Sequence, residues 1–408
     1  MSKVDTNADK IKEVLDKGVE RIYPSKEALV KVLKSGRRIR LYCGFDPTSP
    51  HLHLGNAIQL RKLAQFQELG HEVIFLIGDF TAMIGDPTDK ISPRKKLTRA
   101  QVNKNLKNYK KQASKILKFS GENPAKIMFN SKWNDKLSFM ELVDLASHFT
   151  VQQMMVRDMF RKRIKEDKLI FLPEFLYPLI QAYDSVIMDV DLEVGGSDQM
   201  FNMLRGRDLM KALKNREKFV LTTKLLTDPS GKKMGKTEGS IINLDENPDE
   251  MYGKIMAWSD SLIIPGFELC TDLSIEEVKE ISRQIKNKKL NPRDAKARLA
   301  KEIVTIHHNE VAALKAEKEF NRVFKEKLTP LDIRTFPEAK LQGITSTASI
   351  ITMTGLAQSR SAADRLIEQG AVDIEIDGKV INKYGEKEIT LKKGMIIRVG
   401  KRRFVKLI

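Results

Sequence analysis

The chain has 408 residues, 41% hydrophobic and 31% charged, enough for two or three domains with a core of ordinary size, and its two cysteines, Cys43 and Cys270, exclude a disulfide scaffold and a cysteine-rich zinc module. Lys and Arg outnumber Asp and Glu by 72 to 54, a formal net charge of +18, which points to a polyanionic partner, nucleic acid first. No apolar run approaches the ~20 residues of a membrane helix and the early residues are polar, so a cytoplasmic protein with no membrane partner is expected.

Along the chain, Ile39–Cys43 reads as a strand ending at Gly44, and a helical pattern runs from about Leu54 to Leu69 and stops at Gly70. Val73–Ile77 is a continuous apolar run, as expected of a strand covered on both faces. Lys126–Phe129, Leu192–Val194 and Phe219–Thr222 are further strands. Strands separated by helices imply an α/β parallel sheet. The stretch from Leu97 to about Ala182 is mostly helical and reads as an insertion between two halves of that sheet. After the loop Thr227–Ser240 only helical patterns follow, to about Lys327, with start signals at Asn247-Pro248-Asp249-Glu250, Ser274-Ile275-Glu276-Glu277 and Asn291-Pro292-Arg293-Asp294. Leu328–Lys340, with Pro330 and Pro337, reads as a linker. Leu341–Ile408 shows two short helices and then alternating strands, with Asp377-Gly378 as a hairpin turn. The expected domains are therefore 1–240, 241–327 and 341–408.

Two motifs carry chemistry. The first runs from Tyr42-Cys43-Gly44-Phe45-Asp46-Pro47-Thr48 to His53-Leu54-Gly55-Asn56: a strand, a turn and the start of a helix, whose free N–H groups suit phosphate. Gly55 lets a nucleotide approach the backbone, and His53 and Asn56 add donors. An ordinary strand-turn-helix is the plain alternative for this stretch alone. The second is Gly231-Lys232-Lys233-Met234-Gly235-Lys236-Thr237, a cationic glycine loop in which Lys233 and Lys236 can hold polyphosphate. It is not a Walker A loop, because its first glycine is one residue too close and it leaves the last strand. Alone it would read as a solvated basic turn.

Together, His-x-Gly-Asn after the first strand and Lys-Met-Gly-Lys-Thr after the last resemble the HIGH and KMSKS signatures of class I aminoacyl-tRNA synthetases, with Asn56, Gly235 and Thr237 as departures. The stretches Tyr42–Thr48, Ile84-Gly85-Asp86-Pro87, Tyr177…Gln181-Ala182-Tyr183-Asp184 and Gly195-Gly196-Ser197-Asp198-Gln199 resemble, in order and spacing, the bacterial tyrosyl-tRNA synthetase family. The tail Ser359–Gly370 resembles an S4 RNA-binding domain. The resemblance covers essentially the whole chain. It implies a Rossmann-like catalytic domain with a helical insertion at about 97–182, then an all-α domain and a small α+β S4 domain.

The resemblance further implies roles. Tyr42 and Asp184 would face the phenol of L-tyrosine, with Asp184 accepting its proton. Asp86, Tyr177 and Gln181 would hold the ammonium, and Gln199 would sit near the carboxylate. Gly44, Asp46, Gly55, Gly196, Asp198 and Lys236 would border ATP, Asp198 at the ribose, although Asp46 also reads as a turn-fixing residue. His53, Asn56, Thr48, Lys233 and Lys236 would stabilise charge on the α-phosphate and pyrophosphate, joined by Lys90 and Arg94. Mg²⁺ would accompany the pyrophosphate, with no structural metal. The partner would be tRNA(Tyr), contacted by Arg360, Arg365, Lys401, Arg402 and Arg403. The apolar cluster Met154, Met155, Met159 and Phe160 would lie at a homodimer interface, where the residues alone read as core. Rival readings are a tryptophanyl-tRNA synthetase, another HxGH nucleotidyltransferase, and a non-catalytic S4 RNA-binding paralogue.

Overall fold

The computed structural model describes residues 3–88, 96–227, 241–324, 333–376, 379–383, 388–400 and 403–408. These form two compact units, 1–313 and 314–408, divided within the helix Glu310–Phe324.

Among the described residues, the first unit contains β1 (Val19–Tyr23), β2 (Arg40–Phe45), β3 (Glu72–Ile77), β4 (Lys126–Phe129), β5 (Leu192–Gly196) and β6 (Phe219–Thr223), in one sheet ordered β1-β6-β5-β2-β3-β4. β2 pairs parallel with β3 and β5, β3 with β4, and β5 with β6. β5 and β6 are buried along their whole length. The predicted strands are all present. β1 is an addition, an antiparallel edge strand whose exposed Glu20 and Arg21 break any apolar pattern. The chain leaves β2 outward through β3 and β4, then returns to the other flank of β2 with β5 and β6.

β4 splits the predicted insertion. The helices Arg99–Leu106 and Tyr109–Ala113 precede it, and Phe139–Ser147, Val151–Met155 and Asp158–Lys165 follow before the long helix Leu172–Ile187. Met154 and Phe160 are buried, Phe160 stacking on Phe175 with ring centroids 4.8 Å apart, so part of the cluster expected at an interface is core. The expected break at residue 240 is not a break in compactness. The described residues after it are sewn to the sheet: Leu54 N donates to Ile242 O at 3.0 Å and Leu244 N to Leu52 O at 2.8 Å. Buried Lys17 donates to Thr271 O at 2.8 Å. The predicted caps Asn247, Ser274 and Asn291 each accept a backbone N–H of their own helix.

In the second unit, β7 (Thr335–Phe336), β8 (Val372–Ile376), β9 (Lys379–Lys383), β10 (Ile396–Val399) and β11 (Arg403–Leu407) make a sheet ordered β7-β11-β10-β8-β9. Leu341, Ile351, Ile374, Ile397 and Val405 lie in its core with the helices Thr347–Met353 and Arg360–Glu368 beside it. β7 pairs parallel with β11, so the described end of the predicted linker belongs to this sheet; two residues are too short to show strand alternation. Asp377-Gly378 lies outside the described residues.

Close approach decides one position. A methyl group at Gly206, on the helix Met200–Lys214, would run into the Lys218 ammonium and come 2.9 Å from Ser185 Oγ. Alanine favours a helix by about 1 kcal/mol over glycine, whereas overpacking costs about 1–3 kcal/mol. Gly206→Ala should therefore lower the urea unfolding midpoint; an unchanged or raised midpoint would contradict this packing.

Candidate active site

The strand order reverses between β2 and β5, and in open α/β sheets the carboxyl ends diverge at such a point. A cavity of about 530 Å³ opens there. It is lined by Tyr42, Gly44, Asp46, Thr48, His53, Gly55, Asn56, Asp86, Tyr177, Gln181, Asp184, Gly196, Asp198 and Gln199, candidates drawn from separate stretches of sequence. Lys90, Arg94, Lys233 and Lys236 lie outside the described residues. Thr88 before the first gap, and Leu226 and Ile241 beside the second, line the same cavity.

The first motif is built on a helix start. His53 caps the helix Leu54–Glu68, and its backbone N–H donates to Asn56 Oδ1 at 3.0 Å. The Asn56 oxygen is thereby used, and its NH₂ group is the donor left for a ligand. Burial holds the His53 imidazole below its ordinary pKa, so it is neutral near pH 7. A β-bridge ties His53 to Asn243. At Gly55 a methyl group would stand 2.9 Å from the His53 ring, so glycine leaves the histidine in place.

The floor of the cavity is a buried polar cluster. Tyr42 packs its ring among Ile74, Leu76, Val190 and Met210. Its hydroxyl meets Ser185 Oγ at 2.8 Å. Asp184 is 2% exposed, and its carboxylate accepts from Trp133 Nε1 at 2.7 Å, Asn134 Nδ2 at 3.1 Å and Asn130 Nδ2 at 3.1 Å. Burial pushes its pKa up to about 7 against these three donors. Tyr42 and Asp184 thus share the cavity, each held by its own partners. Beneath them, buried Lys218 is paired with Glu193, and Gln181 Nε2 donates to Glu193 Oε1 at 3.0 Å.

The remaining candidates are hydrogen-bonded to one another. Gln199 Nε2 donates to Asp86 Oδ2 at 2.7 Å, while Asp86 Oδ1 accepts from Thr88 N at 2.9 Å and Thr88 Oγ1 at 2.6 Å. Buried Arg157 donates to the same Thr88 oxygen at 2.7 Å. Tyr177 donates to Asp46 Oδ2 at 2.9 Å and Thr81 to Asp46 Oδ1 at 2.7 Å, so Asp46 anchors a candidate of the ammonium site. Asp198 stands on a short 3-10 turn after β5, beside Gly196. Burial raises the Cys43 thiol pKa far above neutrality, which keeps it protonated.

Trp133, Asn130, Asn134, Ser185, Glu193 and Lys218 did not emerge from the sequence reading. The available signal was one of two tryptophans beside two asparagines after β4, and charges embedded in apolar strands. In the second unit, Arg360 and Arg365 are exposed on one helix, whereas Arg403 donates to Leu356 O; Lys401 and Arg402 lie outside the described residues.

A parallel sheet with a polar cavity at its reversal point, met by a helix N-terminus, defines a nucleotide-binding α/β enzyme. Residues 34–325 match the family model of tRNA synthetases class I (W and Y). A tyrosine–tRNA ligase 2 of Clostridium acetobutylicum is 42% identical over 98% of this chain and 99% of its own. A tyrosine–tRNA ligase of Carboxydothermus hydrogenoformans is 43% identical over 97% of each. Among solved structures, a C-terminally truncated mitochondrial tyrosyl-tRNA synthetase of Coccidioides posadasii is 25% identical, with a TM-score of 0.62 over 76% of this chain and 91% of that one. The chain belongs to this class I family, and within it to the tyrosine–tRNA ligases.

Proposed function

We propose that the cavity holds L-tyrosine, phenol end toward Tyr42 and Asp184, with ATP beside it along the helix start at His53. The enzyme is a tyrosine–tRNA ligase. It joins tyrosine to ATP, releasing pyrophosphate, and then passes the tyrosyl group to the 3′ end of tRNA. The observation that carries the site reading is the buried Asp184 carboxylate at the floor: a fixed acceptor in a closed end is suited to a hydroxyl-bearing ring, and a phenyl ring brings no hydrogen for it to accept.

In the first step a tyrosine carboxylate oxygen attacks the α-phosphorus, and the bond to the bridging oxygen of pyrophosphate breaks. No protein nucleophile is needed; positioning and charge stabilisation carry the step. Neutral His53, the Asn56 amide and Thr48 supply donors from one side. Lys233 and Lys236 supply positive charge from the segment between Leu226 and Ile241, as do Lys90 and Arg94 after Thr88; what supports this is that the described residues beside both segments line the cavity. Asp86, Tyr177 and Gln181 hold the ammonium, Gln199 the carboxylate end, and Asp198 the ribose, with Gly44, Asp46, Gly55 and Gly196 shaping the nucleotide wall. In the second step a terminal ribose hydroxyl of tRNA attacks the tyrosyl carbonyl, and AMP leaves. Mg²⁺ enters with the phosphates. Among the described residues no three His, Cys, Asp or Glu side chains cluster as a metal cage, and this ion commonly keeps phosphate and water ligands.

The second unit, with exposed Arg360 and Arg365, is read as the RNA-binding S4 module. The enzyme is read as a homodimer through the insertion, because Phe139, Met140, Val151, Leu169 and Leu172 expose large apolar side chains there. A cytoplasmic location belongs to the same reading; no helix among the described residues is long and apolar enough to cross a membrane.

Four outcomes are expected. In ATP–pyrophosphate exchange, kcat/KM for tyrosine should fall as pH drops through about 7, because a protonated Asp184 no longer accepts the phenol hydrogen. Asp184→Asn should abolish that acid limb and lower kcat/KM for tyrosine by about one to two orders of magnitude, the size of a lost hydrogen bond to a charged group; an unchanged profile and intact phenylalanine rejection would refute the reading. Removing residues 333–408 should leave exchange intact and strongly reduce tRNA charging; normal charging by the folded truncated chain would exclude an RNA role for that unit. Sedimentation equilibrium at micromolar concentration should give a dimer that Phe139→Asp with Leu172→Asp converts to monomer, and a wild-type monomer would remove the dimer reading.

A further inference from the structure

The buried pair of Lys218 and Glu193, of which Glu193 lines the cavity, has no task in the reaction described above. Stability does not explain it, since replacing a buried ion pair by well-packed apolar side chains is often neutral or stabilising. Its place in the hydrogen-bond network does. Lys218 Nζ directs its three protons to Ser185 Oγ at 2.8 Å, Met203 O at 3.3 Å and Glu193 Oε2. An ammonium only donates, so Ser185 must accept there and send its own proton elsewhere. Two acceptors are in range, Tyr42 Oη at 2.8 Å and Glu193 Oε2 at 3.4 Å. The nearer is Tyr42, and Glu193 Oε2 already receives Lys218. With Ser185 donating to Tyr42, the Tyr42 proton can turn to the cavity or to Glu193, and Lys218 already occupies that carboxylate.

On the opposite side, Asp184 takes only donors, from Trp133, Asn134 and Asn130, so it meets a ligand as an acceptor. We propose that Lys218, Glu193 and Ser185 form a one-way hydrogen-bond relay that makes Tyr42 a donor to the substrate's phenol oxygen, whose own hydrogen is received by Asp184. No proton changes owner; the relay sets only the direction in which each hydrogen points. It supplies one donor and one acceptor, matching a hydroxyl group. The reverse direction would set two acceptors against a single phenol hydrogen and leave one unpaired. Glu193 is the fixed point: its Oε2 holds the ammonium, and its Oε1 takes the Gln181 amide, leaving the Gln181 carbonyl oxygen for a ligand's ammonium. Ser185, Glu193 and Lys218 are thus positioning residues, and the inference rests on the reading of this floor as the phenol site.

The test is ATP–pyrophosphate exchange with tyrosine and phenylalanine on four full-length proteins: wild type, Tyr42→Phe, Ser185→Ala, and Lys218→Met combined with Glu193→Gln. The combined variant removes both charges, so none is stranded. Ser185→Ala should raise KM for tyrosine about fivefold to tenfold, with KM for ATP and kcat/KM for phenylalanine unchanged, so that selectivity falls by the same factor. The charge-free pair should move selectivity the same way; if it does not fold, Ser185→Ala decides alone. Equal losses for both amino acids, or a shift in KM for ATP, would mark a structural role and overturn the relay. If Tyr42→Phe loses selectivity while Ser185→Ala keeps it, the relay is wrong and the phenol site stands. If neither variant alters selectivity, both the relay and the phenol site are wrong.

Discussion

The crevice between β2 and β5 exists because the chain builds its sheet outward from β2 in two directions. Two loops leaving neighbouring strands toward opposite flanks cannot both cover the gap between them, so it stays open at the carboxyl edge. The rest of the molecule is organised around that gap. The helix Leu54–Glu68 brings its N-terminal end to one side, and the turn after β5 brings Gly196 and Asp198 to the other. The segment after residue 240 returns to bridge the helix start through Asn243. The helical region therefore packs as part of one unit with the sheet, beside the edge at which the cavity opens.

Burial gives this cavity its selectivity. In a low-dielectric floor a misplaced hydrogen bond costs about 1–3 kcal/mol, whereas in water it costs little. That is why Asp184 is surrounded by three donors and yet retains a raised pKa: the donors favour the carboxylate, and desolvation outweighs them. The Lys218–Glu193 pair faces the same balance. Burial draws the Lys218 pKa down, and the adjacent carboxylate draws it back up. A pair of buried charges is costly to assemble, but once assembled it cannot reorient as a neutral amide or hydroxyl can, and fixed direction is what a hydroxyl-reading site requires.

The nucleotide side follows a different rule. His53 is held neutral by burial, so it brings no positive charge of its own to the helix start near pH 7. The large formal positive charge of the chain fits a second polyanion as well, and the second unit exposes basic side chains on a small, separately cored α+β fold.

Much of the design was legible in the amino-acid order. Apolar runs located the core strands, and capping residues such as Ser274 and Asn291 located helix starts, because both depend on neighbours a few residues away. Residues that line the cavity could be picked out because the motifs carrying them have recognisable spacing. The edge strand β1 and the two-residue β7 could not, since each is defined by its partner across the sheet. Nor could the floor of the cavity: Trp133, Ser185, Glu193 and Lys218 are far apart in the chain, and each alone reads as an ordinary core or strand residue. Local order determined which segments become helix or strand. Only the tertiary structure decided what lies beneath Tyr42, because a buried charge acquires its role from the partner that folding brings to it.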